Sequence, residues 1–202
     1  MAPAKLPPAE VERLRAWIAR GDHASMEYMA QDLEGRADAG AQLLPGAKSV
    51  VMALLPYPPE LRATSTEPVS TYARGTDYHK VLGERLARLI LVLKELFPGA
   101  RVRRFVDTFP LLERAFAHRA GLGFYGKNAC LIHPTLGSYF FLGGIAIDRE
   151  LPLDGPLDEL PSCGTCTLCI QACPTRAIPE PFRVDSRRCI SYLTIEHQGV
   201  YD

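Results

Sequence analysis

A run of closely spaced cysteines constrains this chain more than any other feature. The pattern C-x2-C-x2-C-x3-C-P is formed by Cys163, Cys166, Cys169, Cys173 and Pro174. It is the bacterial ferredoxin pattern for the ligands of a 4Fe–4S cluster. A structural zinc site is the alternative, but zinc sites commonly use two Cys-x2-Cys pairs separated by a longer spacer. The run therefore predicts iron–sulfur ligation.

The number of cysteines leaves the number of clusters open. Two 4Fe–4S clusters need about eight thiolates, whereas the chain has 6 cysteines. Cys189 follows the run and is a fifth candidate ligand, while Cys130 lies apart and is interpreted as a small buried apolar side chain. Either one cluster forms from the first four cysteines, or two clusters form and further ligands lie in a downstream part of the protein.

Composition and charge indicate no general attraction to nucleic acid or membrane. Lys+Arg and Asp+Glu both number 23, so the formal net charge is zero. The N-terminus has no apolar core of signal-peptide length, and no apolar stretch reaches the roughly 18 residues of a membrane helix. We therefore expect a cytoplasmic monomer without a membrane partner, in which the cysteines serve metal binding or catalysis rather than disulfides.

The spacing of apolar residues predicts helices that alternate with strands. Helices are expected from Pro8 to about Gly21, around residues 25–33, from an Asp77 cap to Pro98, and from Pro110 to about Ala120. Strands are expected over residues 49–55, 102–106 and 138–147. This order predicts an α/β (α+β) fold.

Two domains are expected. Residues 1–155 form the α/β domain, which includes a Pro/Ser/Thr-rich loop over about residues 56–71. The proline- and glycine-containing segment 151–161 marks the boundary. Residues 156–202 form a cysteine-rich module that is too small to fold without a metal.

Several residues outside the cysteine run are candidates for chemistry. Asp107 ends an apolar strand, where burial would raise the pKa of its carboxyl group toward neutrality. The alternative is that Asp107 caps the helix predicted to begin at Pro110. Glu113 and Arg114 are interpreted as a solvated helical face. The glycine-rich loop at residues 121–126 either presents backbone N–H groups to a cofactor or is a simple turn.

Four further motifs resemble the epoxyqueuosine reductase family, whose members are cobalamin-dependent iron–sulfur enzymes. They are residues 70–79 (STYARGTDYH), 106–114 (VDTFPLLER), 119–128 (RAGLGFYGKN) and 187–196 (RRCISYLTIE). The resemblance extends over nearly the whole chain from about Met26. It implies a nitroreductase-like cobalamin-binding domain joined to a ferredoxin-like module with two 4Fe–4S clusters. Family members reduce epoxyqueuosine to queuosine in the anticodon loop of tRNA.

The resemblance also implies roles for individual residues. Asp107 falls on the family's proposed proton donor. Cys163, Cys166 and Cys169 would bind one cluster, and Cys173 and Cys189 would belong to the other. Residues that fall at or near the family's corrin contacts are Ser70, Asp77, Tyr78, His79, Gly126, Lys127, Asn128 and Leu131. His79 is not assigned to the cobalt, because the family's corrin is thought to lack a protein axial base.

The sequence departs from the family at its end. Members continue into a second cysteine run and usually into a helical-repeat domain that grips tRNA, whereas this sequence ends at Asp202. We therefore expect a C-terminally truncated chain with an incomplete module, whose tRNA grip needs the missing part and whose electrons come from an external donor. The alternatives are another corrinoid iron–sulfur reductase, such as a reductive dehalogenase, and a ferredoxin-like electron carrier without catalysis.

Overall fold

A computed structural model describes residues 1–57, 70–156 and 162–200 of the chain. These residues contain six α-helices and six strands. The helices are α1 (Pro8–Ala19), α2 (Ala39–Gln42), α3 (Tyr78–Leu96), α4 (Glu113–Arg119), α5 (Leu168–Ala172) and α6 (Ile190–Ile195). The strands are β1 (Ala2–Pro3), β2 (Ser49–Pro56), β3 (Val102–Phe105), β4 (Phe124–Tyr125), β5 (Leu131–Ile132) and β6 (Phe140–Ile147). Most of the predicted loop at 56–71, and half of the predicted boundary at 151–161, fall outside the described residues.

The main sheet has four strands in the order β1-β2-β6-β3, and all neighbours are antiparallel. The long central pair runs from Ser49 opposite Ile147 to Pro56 opposite Phe140. Close packing explains the glycine at position 144, since a Cβ there would lie 2.7 Å from the Val51 carbonyl oxygen and 2.8 Å from the Phe105 ring. The antiparallel order makes the fold α+β, within the mixed class that was predicted.

Helices cover both faces of this sheet. On one face, α1 and α4 bury Val11 and Phe116 against β1, β2 and β6. On the other face, Leu82 and Leu86 of α3 pack against Ile145 and Leu55. The C-terminal ends of β2 and β3 and the N-terminal end of β6 meet at one end of the sheet. The N-termini of α3 and α4 reach this same end, where the candidate active site lies.

Most predicted elements are confirmed, and two helix predictions are wrong in detail. The stretch predicted around residues 25–33 is a single 3-10 turn, Glu27–Ala30. The helix predicted from Pro110 begins only at Glu113, with Leu112 at its N-cap. The Leu112 N–H donates to the Arg36 carbonyl oxygen at 2.9 Å, which holds the preceding residues in a loop. Asp107 therefore does not cap this helix.

The cysteine module packs on α1 and the turn that follows it. The buried carboxylate of Asp22 accepts hydrogen bonds from Arg183 Nε at 2.7 Å and from Arg183 Nη2 at 3.0 Å. The Trp17 indole donates to the Val184 carbonyl oxygen at 2.7 Å, and the Ser25 hydroxyl lies 2.6 Å from the Tyr192 hydroxyl. These polar contacts fix the orientation of the module on the first domain. None of the helices in the described residues has the length and apolar character needed to cross a membrane.

Candidate active site and cluster-binding module

A cavity of about 300 Å³ opens at the end of the sheet where α3 and α4 begin. Its walls combine apolar and aromatic side chains with titratable ones. The lining residues are Tyr78, Asp107, Glu113, Arg114, Cys130, Leu131, Ser138, Phe140, Phe141 and Leu142. The cavity thus brings together Asp107, Tyr78 and Leu131, three of the residues predicted from the sequence.

Asp107 is exposed, which corrects the expectation that it is buried. Its side chain is 61% exposed, because the chain leaves the sheet after Phe105 and turns at the mouth of the cavity. Its φ of 56° is left-handed, a conformation that aspartate tolerates better than most residues. The carboxylate accepts a hydrogen bond from the Tyr78 hydroxyl at 2.6 Å. The turn and this hydrogen bond orient the carboxylate at the cavity.

The first turn of α3 forms the wall beside Asp107. The Tyr78 ring stacks on Phe141 with 4.0 Å between ring centroids and an interplanar angle of 2°. Burial and the neighbouring Asp107 carboxylate raise the pKa of the Tyr78 hydroxyl, so it is a hydrogen-bond donor at neutral pH. Asp77 caps α3 as predicted, accepting a hydrogen bond from the His79 N–H at 2.9 Å. Tyr78 and His79 lie in the first turn of α3.

His79 links Asp77 to Asp107. Its Nδ1 lies 2.8 Å from Asp77 Oδ1, and its Nε2 lies 3.8 Å from Asp107 Oδ2. A carboxylate that holds one ring nitrogen fixes the orientation of the imidazole and favours a proton on that nitrogen. The imidazole therefore presents its other nitrogen toward the candidate acid.

Glu113 is the functional residue that the sequence interpretation missed. It is partly buried in the cavity wall instead of lying on a solvated helical face, and its Oε1 accepts a hydrogen bond from the Asp107 N–H at 3.0 Å. Burial raises the pKa of its carboxyl group to about 7, although the Asp107 N–H acts in the opposite direction. The only signal in the sequence was that Glu113 lies six residues after Asp107. This spacing indicates that the two residues are close only if the chain between them is known to fold back.

The loop at residues 126–130 connects the cavity to the cysteine module. Leu131 and Cys130 line the cavity, whereas Gly126, Lys127 and Asn128 do not. The Lys127 N–H donates to Cys163 Sγ at 3.4 Å, and Lys127 Nζ donates to the carbonyl oxygens of Gly164 and Cys166 at 2.7 and 2.8 Å. Ser70 lies elsewhere, exposed, at the start of a single 3-10 turn.

The first three cysteines of the run lie on a turn and the short helix after it. The Cys166 N–H donates to the Cys163 carbonyl oxygen at 2.8 Å, and Cys169 lies in α5. No three His, Cys, Asp or Glu side chains of the described residues converge closely enough to hold one metal ion. That finding concerns single ions, since the thiolates of a 4Fe–4S cluster bind different iron atoms and stand further apart. The N–H donor to Cys163 Sγ is a contact typical of cluster ligands.

Cys173 and Cys189 face a second cavity, of about 210 Å³. Asn128 and the apolar side chains of Ala177, Ile178, Val184 and Ile190 complete most of its wall. Desolvation acts to raise the pKa of the Cys173 thiol, but hydrogen bonds from Thr175, Ala177 and Ile178 outweigh it and lower that pKa. The donor set, two thiols in an apolar cavity with N–H groups directed at one sulfur, fits an iron–sulfur cluster.

Cys130 lies between the two cavities. Its thiol lines the cavity of Asp107 and is half-buried, and desolvation raises its pKa. Cys169 and Cys189 are close enough to influence it electrostatically. The interpretation of Cys130 as a small buried apolar side chain is therefore right about its desolvation, but did not place it in the wall of the site.

Comparison with known families identifies two segments of the chain. The family described as "Epoxyqueuosine reductase QueG, DUF1730" matches residues 36–108, which include the Asp107 turn. The family described as "4Fe-4S double cluster binding domain" matches residues 162–202, which contain five of the six cysteines. The first match falls within the first domain, and the second falls within the cysteine module.

Individual relatives agree with these matches. The epoxyqueuosine reductase of Escherichia coli is 43% identical over 194 residues, covering 93% of this chain and 50% of that protein. A crystal structure of epoxyqueuosine reductase with an epoxyqueuosine-modified tRNA-Tyr stem loop superimposes with a TM-score of 0.81 at 35% identity, covering 96% of this chain and 52% of that one.

A further structure, of the Bacillus subtilis enzyme with an aspartate-bearing catalytic loop swung out of the active site, has a TM-score of 0.77 at 33% identity. It covers 96% of this chain and 52% of that one. The chain spans about half the length of the curated relatives it matches.

Proposed function

The chain belongs to the epoxyqueuosine reductase family, and we propose that it carries the proton-donating and iron–sulfur parts of the reduction of epoxyqueuosine to queuosine in tRNA. The observation that carries this proposal is the path of residues 126–131. One end of this loop contributes Cys130 and Leu131 to the cavity of Asp107, and the other contacts Cys163 through Lys127. These six residues thus contact both the cavity that holds Asp107 and the loop that carries the cysteine ligands.

The reaction requires both parts. Converting an epoxide to an alkene breaks two C–O bonds and releases the oxygen as water, which consumes two electrons and two protons. Protein side chains do not supply electrons at low potential, whereas iron–sulfur clusters transfer them one at a time. The external donor of these electrons is a soluble reductant or redox protein. A proton donor at the leaving oxygen is the part that amino-acid side chains perform.

Asp107 is the proposed proton donor. It is exposed at the cavity mouth, where it can reach an epoxide bound in the cavity. Tyr78 donates a hydrogen bond to its carboxylate, and Glu113 accepts one from its backbone N–H. General acid catalysis of this kind contributes about 10²–10⁴-fold to a rate. His79 Nε2 lies 3.8 Å from Asp107 Oδ2, which places the imidazole beside the proposed acid. The Bacillus subtilis relative has an aspartate on its catalytic loop, which supports an aspartate on a loop as the acid.

Cobalamin is the proposed reducing centre in the cavity. Phe140, Leu131 and Leu142 offer apolar surface to a flat macrocycle, and Ser138 and Tyr78 offer polar groups at its edge. The volume of about 300 Å³ is at the lower end of small-molecule sites. The cavity can therefore hold the reacting part of a corrinoid but not the entire molecule. Residues near this volume, Asp77 and His79, would then contact the periphery, and Ser70, Gly126 and Asn128 lie further away. When bound, cobalamin supplies electrons at very low potential.

The proposed cluster ligands fall into two sets. Cys163, Cys166 and Cys169 belong to one cluster, and Cys173 and Cys189 to another. The shared cavity of Cys173 and Cys189 supports this division, because the other three cysteines do not line it. The division into domains at residues 155 and 156 remains a prediction, and the module contacts α1 through the hydrogen bond from Trp17 to Val184.

The proposed substrate is tRNA that carries epoxyqueuosine. The relative solved with a modified tRNA stem loop supports this choice over a halogenated organic substrate. The formal net charge of the chain is zero, so tRNA affinity from counterion release is expected to be weak unless other parts of the protein contribute.

The test is anaerobic turnover. The chain is reconstituted with iron, sulfide and cobalamin, reduced, and incubated with an epoxyqueuosine-containing stem loop at high concentration. We expect mass spectrometry of the digested nucleosides to show queuosine. Protein that holds a cluster and cobalamin, binds the stem loop and forms no queuosine would contradict the proposal. Bound clusters without any corrinoid binding would favour an electron carrier, and turnover of halogenated organics alone would favour a dehalogenase.

A further inference from the structure

Every polar atom of Lys127 is engaged by the cysteine module. Its N–H donates to Cys163 Sγ, and its ammonium donates to the carbonyl oxygens of Gly164 and Cys166. Its own carbonyl oxygen accepts from the Phe182 N–H at 2.9 Å. The resemblance had assigned Lys127 to the corrin instead. In the described structure its polar contacts are with the cysteine module.

The loop that carries Lys127 is held firmly in place. The Gly126 N–H donates to the Cys130 carbonyl oxygen at 2.8 Å, and Arg114 Nη1 donates to the Ala129 carbonyl oxygen at 2.7 Å. A Cβ at Gly126 would lie 2.5 Å from Ile132 Cδ1 and 2.6 Å from Asn128 Oδ1, so a larger residue there would force these side chains to shift. The first domain therefore holds the loop that presents Lys127 to the module.

The charge of Lys127 is directed at the cluster loop. The two oxygen atoms that hold its ammonium are backbone carbonyls, which carry partial charges, and the described contacts include no carboxylate that would neutralise the full positive charge. Reduction of a 4Fe–4S cluster adds one negative charge to it. A nearby cation and an N–H···S hydrogen bond both stabilise the reduced form, and both are known determinants of cluster potential.

We propose that Lys127 is a positioning residue that docks the 163–169 loop on the first domain and raises the reduction potential of the cluster held there. The inference rests on the cluster part of the proposed function. It adds a role for the first domain: a residue that adjoins the active-site loop sets the driving force for electron transfer into that site.

The experiment is an anaerobic redox titration of the reconstituted chain, followed by electron paramagnetic resonance of the reduced clusters. The relevant signal is the one that Cys163→Ser removes. For Lys127→Gln we expect the ratio of reduced to oxidised cluster at the wild-type midpoint to fall about tenfold, which corresponds to about 59 mV for a one-electron couple. Lys127→Arg retains the charge and is expected to titrate close to the wild type. Lys94→Gln, on the exposed side of α3, is the matched control.

The outcomes are separable from those of the proposed function. Wild-type protein that assembles no cluster would overturn both the cluster part of the proposed function and this inference, whereas cluster-loaded protein that forms no queuosine would contradict the proposed function alone. An unchanged midpoint in cluster-loaded Lys127→Gln would overturn the inference. If Lys127→Gln loses the cluster and Lys127→Arg retains it, the role of the charge in docking is supported. Loss of the cluster in both variants would overturn it, because side-chain shape and not charge would then be the requirement.

Discussion

The first domain and the cysteine module are stabilised by different interactions. Described residues up to 156 bury apolar side chains on both faces of the sheet. Among the described residues from 162 onward, Ala177, Ser186 and Tyr192 alone are buried. A segment of about 40 residues cannot bury enough apolar surface to fold alone and depends on a metal or on a neighbour. The first domain therefore organises its acid and cavity by packing, whereas the module depends on ligation and on docking.

Removal of the iron should unfold the module and leave the first domain folded, and this is the largest effect we expect. Chelation of the clusters should abolish the slow hydrogen exchange of residues 162–200 and leave α3 and β6 protected. The reason is that the module has little apolar core of its own. Hydrogen exchange with mass spectrometry measures both regions in one sample. Equal protection of the module with and without iron would contradict the comparison.

Asp107→Asn should change chemistry without changing stability. We expect single-turnover reduction of epoxyqueuosine to fall by about 10²–10⁴-fold, the range of general acid catalysis. Because the side chain is exposed and asparagine also tolerates a left-handed φ, the thermal unfolding temperature and the cluster content should stay at the wild-type level. Glu95→Gln, on the exposed side of α3, is the control. A variant with full single-turnover activity would remove Asp107 from its proposed role.

Asp22→Asn should weaken the docking of the module. Asp22 is fully buried and pairs with Arg183, so the loss of its charge leaves an arginine facing a neutral group at the domain contact. We expect the unfolding transition of the module to fall by about 4 °C or more, with a smaller change in the first domain.

The matched control for Asp22→Asn is Glu180→Gln. Glu180 lies 3.3 Å from the same Arg183, but its side chain is exposed and such pairs contribute little. If Glu180→Gln weakened the module as much as Asp22→Asn, the burial of Asp22 would not be the cause. Differential scanning fluorimetry combined with exchange at residues 183–192 separates the two domains.

Glu113→Gln should change stability only at pH values above about 4.5. Burial raises the pKa of Glu113 from its ordinary 4.5 to about 7, so between these values the folded chain holds a proton that the unfolded chain releases. Stability from this group is therefore fully present below about pH 4.5 and is lost as pH rises through 7. The variant retains the oxygen that accepts the Asp107 N–H and cannot ionise. Its unfolding temperature should exceed that of the wild type at pH 8 and match it at pH 4.5, and a constant difference across that range would refute the assignment.

Much of the framework could be predicted from residue patterns because it depends on local periodicity and spacing. Apolar runs identify β2 and β6, and the Asp77 cap identifies the start of α3. The start of α4 could not be predicted in this way. A proline at position 110 is compatible with a helix start, but the hydrogen bond from Leu112 to Arg36 joins residues far apart in the sequence.

The sequence by itself determined the iron–sulfur chemistry, because that chemistry depends on the spacing of the cysteine ligands. Three cysteines within seven positions can surround a cluster whatever else the chain does, because short spacing limits how far the thiolates can separate. The motifs that carry the family resemblance likewise need no coordinates to be recognised.

Only the tertiary structure decided how these parts meet. It exposed Asp107, partly buried Glu113 beside it, and turned Lys127 toward Cys163. Each of these outcomes depends on which distant segments pack together, since burial and charge proximity are properties of neighbours in space. Their consequences for proton and electron transfer therefore follow from the fold and not from any single motif.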